Sequence, residues 1–216
     1  MKKLLHVVAS PRGEKSRTLK VSSAFLERFK ELNPDWLVDE INVFDESLPR
    51  LTARQVTGKY VLLGGRDLYG ELRETWEEIE HHITRFKDAS AYLVSTPMWN
   101  FSIPYALKQY LDIIVQPKYL FRYINGHAVG LVPGRKMVVI SSRGGEYSAP
   151  EALSFDHLAP YLRTIFGFVG ITDIQFVNVE PLDGVTDDDE RATVAAACLN
   201  ARSVAEQSFM TGAKEE

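Results

Sequence analysis

Short apolar runs alternate along this chain with longer stretches in which apolar residues recur every three or four positions. Residues 3–9, 91–96 and 136–141 are nearly continuous apolar runs between polar or Pro and Gly positions, which is how parallel strands buried on both faces read. Residues 37–44 and 173–179 predict two further strands, the first with Glu40 and Asn42 on its polar side. Helical spacing predicts helices over 16–32 (Leu19, Phe25, Leu26, Phe29, Leu32), 72–86 (Leu72, Trp76, Ile79, Ile83, Phe86), 106–115, 156–168 and 186–210. Pro104 is placed at the first position of the third of these. Thr186 and Asp189 form a capping box, so the acidic run 186–190 reads as a helix start and not as a metal site. Five strands alternating with helices predict an α/β fold: a doubly wound five-stranded parallel sheet with helices on both faces, as one domain over residues 1–216.

Two segments break the alternation. Residues 45–70 carry Pro49, Gly58 and the pair Gly64-Gly65, with Val61 to Leu63 closing a short helix; an excursion of this length suits a lid or an interface. Tyr119, Phe121 and Tyr123 alternate with other residues up to Asn125-Gly126, which predicts a ribbon that covers a flat ligand or meets a second copy.

Composition narrows the partners. The 216 residues are 45% hydrophobic and 25% charged, with a formal charge of -4. There is no basic footprint for nucleic acid or an anionic membrane, so small molecules or a second copy are expected. Met1-Lys2-Lys3 precedes an apolar run that is short, holds His6 and leads into Ser10-Pro11-Arg12-Gly13, so it reads as a strand and not a leader, and the expected location is the cytoplasm. Cys198 is the only cysteine, which excludes an intrachain disulfide or a thiolate metal cluster. His81 and His82 are adjacent on a helix and point about 100° apart, so no metal is expected and both read as rim or solvated side chains.

The candidate chemistry lies in three loops that follow predicted strands. The first holds Ser10, Arg12, Ser16, Arg17 and Thr18 around a helix start, where free N–H groups and the helix dipole favour an anion. Ser16 alone would be an ordinary N-cap; the crowding of hydroxyls reads as a phosphate cradle. Neither a P-loop nor a Gly-x-Gly-x-x-Gly motif is present. The second loop, Pro97-Met98-Trp99-Asn100-Phe101, offers aromatic faces, a side-chain amide and backbone donors between two prolines, or is an ordinary loop with Trp99 and Phe101 as core aromatics. The third, Ser142-Arg143-Gly144-Gly145, permits close backbone approach to an electron-rich edge, or is a tight turn that needs positive φ. Sheet order 2-1-3-4-5 would bring the three together at the switch point, where a ligand with phosphate, flat ring and polar edge fits, as FMN does.

Ser10-Pro-Arg, Pro97-Met-Trp-Asn-Phe-Ser-Ile-Pro, Phe121-Arg-Tyr, Gly134-Arg-Lys, Ser142-Arg-Gly-Gly and Phe166-Gly-Phe-Val-Gly-Ile resemble the FMN-dependent NADH azoreductases, also described as NADH:quinone oxidoreductases. The resemblance runs from the first strand to the last and implies a flavodoxin-like fold and a homodimer. It implies FMN held by Ser10, Ser16, Arg17, Thr18, Pro97, Met98, Trp99, Asn100, Phe101, Ser142, Arg143, Gly144 and Gly145. Thr18 stands where the family usually has a second serine, and residues 45–70 are longer than the resemblance leads one to expect. NADH or NADPH would reduce the flavin and a quinone or azo compound would reoxidise it, in a ping-pong cycle. Hydride chemistry would belong to flavin N5, positioned by Asn100, Gly144 and Gly145, with no catalytic side chain. Phe101, Phe121 and Tyr147 would form the slot for flat substrates. An FMN-binding electron carrier or sensor without turnover is the second reading. A hydrolase is disfavoured, since no Cys lies in the first loop and no Gly-x-Ser-x-Gly occurs.

Overall fold

A computed structural model describes residues 1–209. The elements run β1 (Lys3–Val8), α1 (Arg17–Leu32), β2 (Leu37–Asn42), α2 (Ala53–Leu63), α3 (Gly70–Glu74), α4 (Glu77–Lys87), β3 (Ala91–Pro97), α5 (Tyr105–Ile114), β4 (Phe121–Ile124), β5 (His127–Gly130), β6 (Lys136–Ser142), α6 (Ala159–Phe168), β7 (Asp173–Val179) and α7 (Asp187–Phe209). β2-β1-β3-β6-β7 form one five-stranded sheet, parallel throughout, which is the expected order; β4 and β5 form a separate antiparallel pair. None of the described helices is long and apolar enough to cross a membrane.

Both sheet faces are buried because alternate strand residues serve different helix layers. Leu5, Val7, Tyr92, Val94, Met137 and Val139 pack with α4, α5 and α6. Leu4, Leu93, Val138, Ile140, Val177 and Val179 pack with α1 and α7. Below this second layer, at the amino-terminal ends of the strands, Trp36 meets the rings of Phe29 and Phe209 edge-on.

The helix expected over 72–86 is two, α3 and α4, separated at Thr75-Trp76. Thr75 Oγ1 donates to the Leu72 carbonyl at 2.8 Å. Trp76, fully buried, lies against Gly58 of α2 and stacks on Tyr119 at 6.5 Å. Glu77, Glu78 and Glu80 then suit the first turn of a new helix. Val61 to Leu63 does close a helix, α2, which opens on a capping box made by Thr52 and Gln55. Pro104 is the N-cap of α5 and not its first residue. The stretch expected as helix from 156 starts at Ala159, because the Asp156 carboxylate accepts from the N–H groups of Leu158 (2.9 Å) and Ala159 (3.0 Å) and so turns the chain into α6. α7 ends the described residues at Phe209, so Met210 of the expected last helix lies outside them.

His82 corrects the expectation of two solvated histidines. It is 4% exposed beside Tyr110, and burial lowers its pKa, whereas His81 is exposed. The ribbon is present: β4 and β5 are joined by Asn125 (φ 51°) and Gly126 (φ 80°), the left-handed pair a two-residue hairpin turn requires. A Cβ on Gly130 would stand 2.2 Å from the Val169 carbonyl carbon, so the ribbon rests directly on the end of α6.

Candidate functional site

A cleft of about 220 Å³ opens at the carboxyl ends of the strands, lined by Ser10, Arg12, Ser16, Trp99, Gly144 and Asp183 among others. Pairing places the loops there: Ala9 N–H donates to the Ser95 carbonyl (2.8 Å) and Met98 N–H to the Ser142 carbonyl (2.8 Å), so the strand ends are zipped together up to the cleft floor.

On the first wall, Ser16 caps α1, its Oγ accepting from Leu19 N–H at 3.3 Å, as an ordinary N-cap would. It also accepts from Ser10 Oγ at 2.8 Å, so the Ser16 hydroxyl proton remains unspent. Among the described residues the N–H groups of Arg17 and Thr18, in the first turn of α1, find no acceptor, as the geometry of a helix start dictates. Together these donors make an anion seat. Arg17 lends it little charge, because its guanidinium holds Glu190 in a two-pronged pair, Nε to Oε1 at 2.7 Å and Nη2 to Oε2 at 2.5 Å. Arg12, exposed at the rim, pairs with no carboxylate among the described residues and is the available cation. Thr18 turns inward: it is 1% exposed, and its hydroxyl lies 2.6 Å from that of Ser142, tying α1 to β6.

On the second wall Trp99 and Ser102 exchange backbone hydrogen bonds (2.9 and 3.0 Å) across a two-residue turn. The turn residues are Asn100 (φ 46°) and Phe101 (φ 69°), both left-handed. Asn adopts that region readily; for Phe it is strained, at a cost of about 1–2 kcal/mol. The turn leaves the Asn100 and Phe101 N–H groups without acceptors among the described residues. Phe101 is held from outside by Phe155 (5.6 Å) and Tyr147 (6.5 Å), while Trp99 packs on Phe44 (5.6 Å) and Tyr105 (6.4 Å).

On the third wall, Gly144 and Gly145 are not at positive φ. A Cβ on Gly144 would meet Asp183 Oδ2 at 2.1 Å, because the N–H groups of Leu182 and Asp183 both bond the Gly144 carbonyl (2.9 and 3.0 Å). A Cβ on Gly145 would have only the Tyr147 ring near it, at 3.6 Å. Arg143 is 2% exposed; Nε bonds Ser141 Oγ (3.1 Å) and Nη1 bonds Asp156 (3.0 Å) with Glu180 at 3.6 Å, while Nη2 is buried with no partner among the described residues. Glu180 in turn accepts from Tyr147 N–H at 3.2 Å, so Arg143 braces the loop that carries the glycines.

The structure thus gathers Ser10, Ser16, Arg17, Pro97, Met98, Trp99, Ser142, Arg143 and Gly144 around one cleft. Phe101 and Tyr147 meet as expected for a slot, and Phe155 joins them. Phe121 is 5% exposed and packs inward on Phe168 at 4.6 Å, apart from that pair. Leu182 and Asp183 went unnoticed in the sequence: they follow the fifth strand of the sheet, and their position after a strand was the one signal available. Thr18, Asn100, Phe101 and Gly145 are not among the residues that line this cleft. The hydroxyls beside a helix start, the aromatic Trp99 and the buried Arg143 Nη2, which has no partner among the described residues, fit FMN.

Residues 2–202 match the family described as Flavodoxin-like fold. An FMN-dependent NADH:quinone oxidoreductase of Nitratidesulfovibrio vulgaris is 39% identical over 206 residues, 95% of this chain and 99% of the relative. One from Desulfotalea psychrophila is 36% identical over 97% of this chain and 99% of its own. Among solved structures, an azoreductase from Bacillus anthracis str. Sterne superposes with a TM-score of 0.86 at 28% identity, over 96% of this chain and all of the other. An FMN-dependent NADH-azoreductase from Bacillus anthracis str. Ames Ancestor in complex with FMN gives 0.85 at 28% identity, over 96% and 99%.

Proposed function

Because the chain belongs to the flavodoxin-like family of FMN-dependent NADH:quinone oxidoreductases and azoreductases, we propose that it passes two electrons from NADH or NADPH to quinones and azo compounds in two half-reactions. It is an oxidoreductase, and its cofactor is FMN. The observation that supports the reading most directly is the meeting of the loops after β1, β3 and β6 at one cleft at the sheet's carboxyl end, lined by Ser10, Ser16, Arg17, Trp99, Ser142 and Gly144 among others.

Bound there, FMN supplies hydride acceptance and donation. Ser16, the Arg17 and Thr18 N–H groups and Arg12 hold the phosphate. Asn100 and Phe101 N–H groups hold one side of the ring, and those of Gly144 and Gly145 the edge where negative charge collects, fixed donors that need no reorganisation as charge develops. Phe101, Tyr147 and Phe155 keep the substrate flat and exclude water from that face. The protein acts as a homodimer, a reading supported by α2, where Val56, Tyr60 and Leu63 stand 38%, 68% and 38% exposed.

The test is an anaerobic visible spectrum of the purified protein, supplied with FMN if colourless, before and after NADH. Flavin bands that bleach with NADH and return on adding a quinone support the whole cycle. Bleaching without return on any quinone or azo compound favours an electron carrier. Failure to bind FMN overturns the site.

A further inference from the structure

Asp183, in the loop after β7, is the one carboxylate among the residues that line the cleft, where the arginines Arg12, Arg17 and Arg143 also stand. A guanidinium gives protons to hydrogen bonds and accepts none, whereas an ionised carboxylate only accepts. Arg17 and Arg143 already serve acids outside the cleft, Glu190 and Asp156. Among the described residues no ion pair or hydrogen bond ends on the Asp183 carboxylate, which leaves it exposed with its full capacity to accept.

Its place is set by its backbone. Asp183 N–H bonds the Gly144 carbonyl at 3.0 Å and Leu182 N–H bonds it at 2.9 Å, which carries the side chain against Gly144: a Cβ there would lie 2.1 Å from Asp183 Oδ2. Asp183 is also near enough to Arg17, in the first turn of α1, to favour that guanidinium's charge, after the larger effect of the hydrogen bond to Glu190. The carboxylate is thus a neighbour both of the anion seat at α1 and of the Gly144 wall.

By itself an unpaired carboxylate beside an anion seat opposes binding, because like charges at short range disfavour one another. The opposition is offset where the ligand brings protons to the same spot. Between its phosphate and its ring FMN carries a ribityl chain, whose hydroxyls give up water on entering the cleft and need acceptors there. The other donor of FMN, the ring N3–H, lies on the pyrimidine edge away from the phosphate, whereas Asp183 lies near Arg17 of the phosphate seat.

We propose that Asp183 is a cofactor-selecting residue, its carboxylate accepting hydrogen bonds from the ribityl hydroxyls as the chain passes from the anion seat to the Gly144 wall. The proposal rests on the reading of the cleft as the FMN site and assigns a task to the one lining acid that this reading leaves without one.

The test is a fluorescence titration of wild type and Asp183→Ala with two flavins: FMN, and an analogue in which a phosphopentyl chain replaces the phosphoribityl chain, so that ring and phosphate are kept and the hydroxyls are gone. Wild type is expected to prefer FMN over the analogue about ten-fold more strongly than Asp183→Ala does, the worth of a hydrogen bond to a charged acceptor. The comparison cancels whatever the substitution does to the phosphate, to N3–H or to the packing at Gly144, since both flavins feel those alike. An equal preference in the two proteins overturns the proposal. An equal gain for both flavins in Asp183→Ala would then make the carboxylate a repeller of phosphate, and an equal loss a partner of N3–H or a support for Gly144. Failure of wild type to bind either flavin overturns the reading of the site and the proposal with it, whereas binding of both flavins with equal preferences strikes the proposal alone.

Discussion

Phe101 carries two properties that pull against each other: its backbone sits at φ 69°, where a side chain is unwelcome, and its ring is 47% exposed at the slot. Phe101→Gly should therefore hold or raise thermal stability, by up to about 1 kcal/mol, while raising KM for a quinone several-fold. A fall in stability together with an unchanged KM would place the ring's role in packing. The glycines separate in a similar way. Gly144→Ala only has to swing aside the exposed Asp183 carboxylate at the cleft, so it should cost little stability while weakening FMN binding, whereas Gly145→Ala meets only the Tyr147 ring and should bind FMN nearly as wild type does. Fluorescence titration with FMN distinguishes them. At the anion seat, Arg12→Gln should weaken FMN binding more than Arg17→Gln, since Arg17 already serves Glu190.

At the scale of elements, α2 docks closely where Gly58 meets Trp76. A Cβ at residue 58 would stand 2.2 Å from Trp76 Nε1, so Gly58→Ala should destabilise the α2 side of the fold by about 1–3 kcal/mol, seen in urea unfolding. α4 is tied to β2 by Arg85, which bonds Asp39 at 2.8 and 3.1 Å and holds that carboxyl below its usual range. A depressed carboxyl contributes stability that is present above its unfolded value, about 3.9, and lost as pH falls through the lower folded one. Arg85→Met should accordingly cost more at pH 7 than at a pH below the depressed folded value, where Asp39 is protonated in both proteins. β1, β3 and β6 were legible because they are buried on both faces and hence nearly pure in apolar residues. The break between α3 and α4 was not, since Leu72, Trp76, Ile79 and Ile83 keep helical phase across it and the cause, α2 resting on Trp76, is a contact distant in sequence. Thr18 shows the same limit at the site. Its spacing from Ser16 reads as a pair of hydroxyls facing one ligand, and only the register of β6 reveals that it faces Ser142.

For the molecule as a whole, sheet order decides what the loops can do together. The loops after β1, β3 and β6 carry recognisable residues, so their convergence followed from the strand order; the loop after β7 carries no such mark, and Asp183 had to be seen in place. The proposed homodimer is checked by sedimentation, with Tyr60→Glu on the exposed face of α2 expected to shift the protein toward monomer. The three tryptophans are spread along the long dimension of the sheet: Trp36 at its amino-terminal end, Trp76 in the core and Trp99 at the cleft rim, 37% exposed. Indole emission overlaps flavin absorption, so this spacing is a built-in optical gauge. Loading the cleft should drain light from Trp99 first and from Trp36 least, and Trp99→Phe should remove most of the quenching. Cofactor occupancy can then be followed in unlabelled protein, with Trp36 as the internal reference.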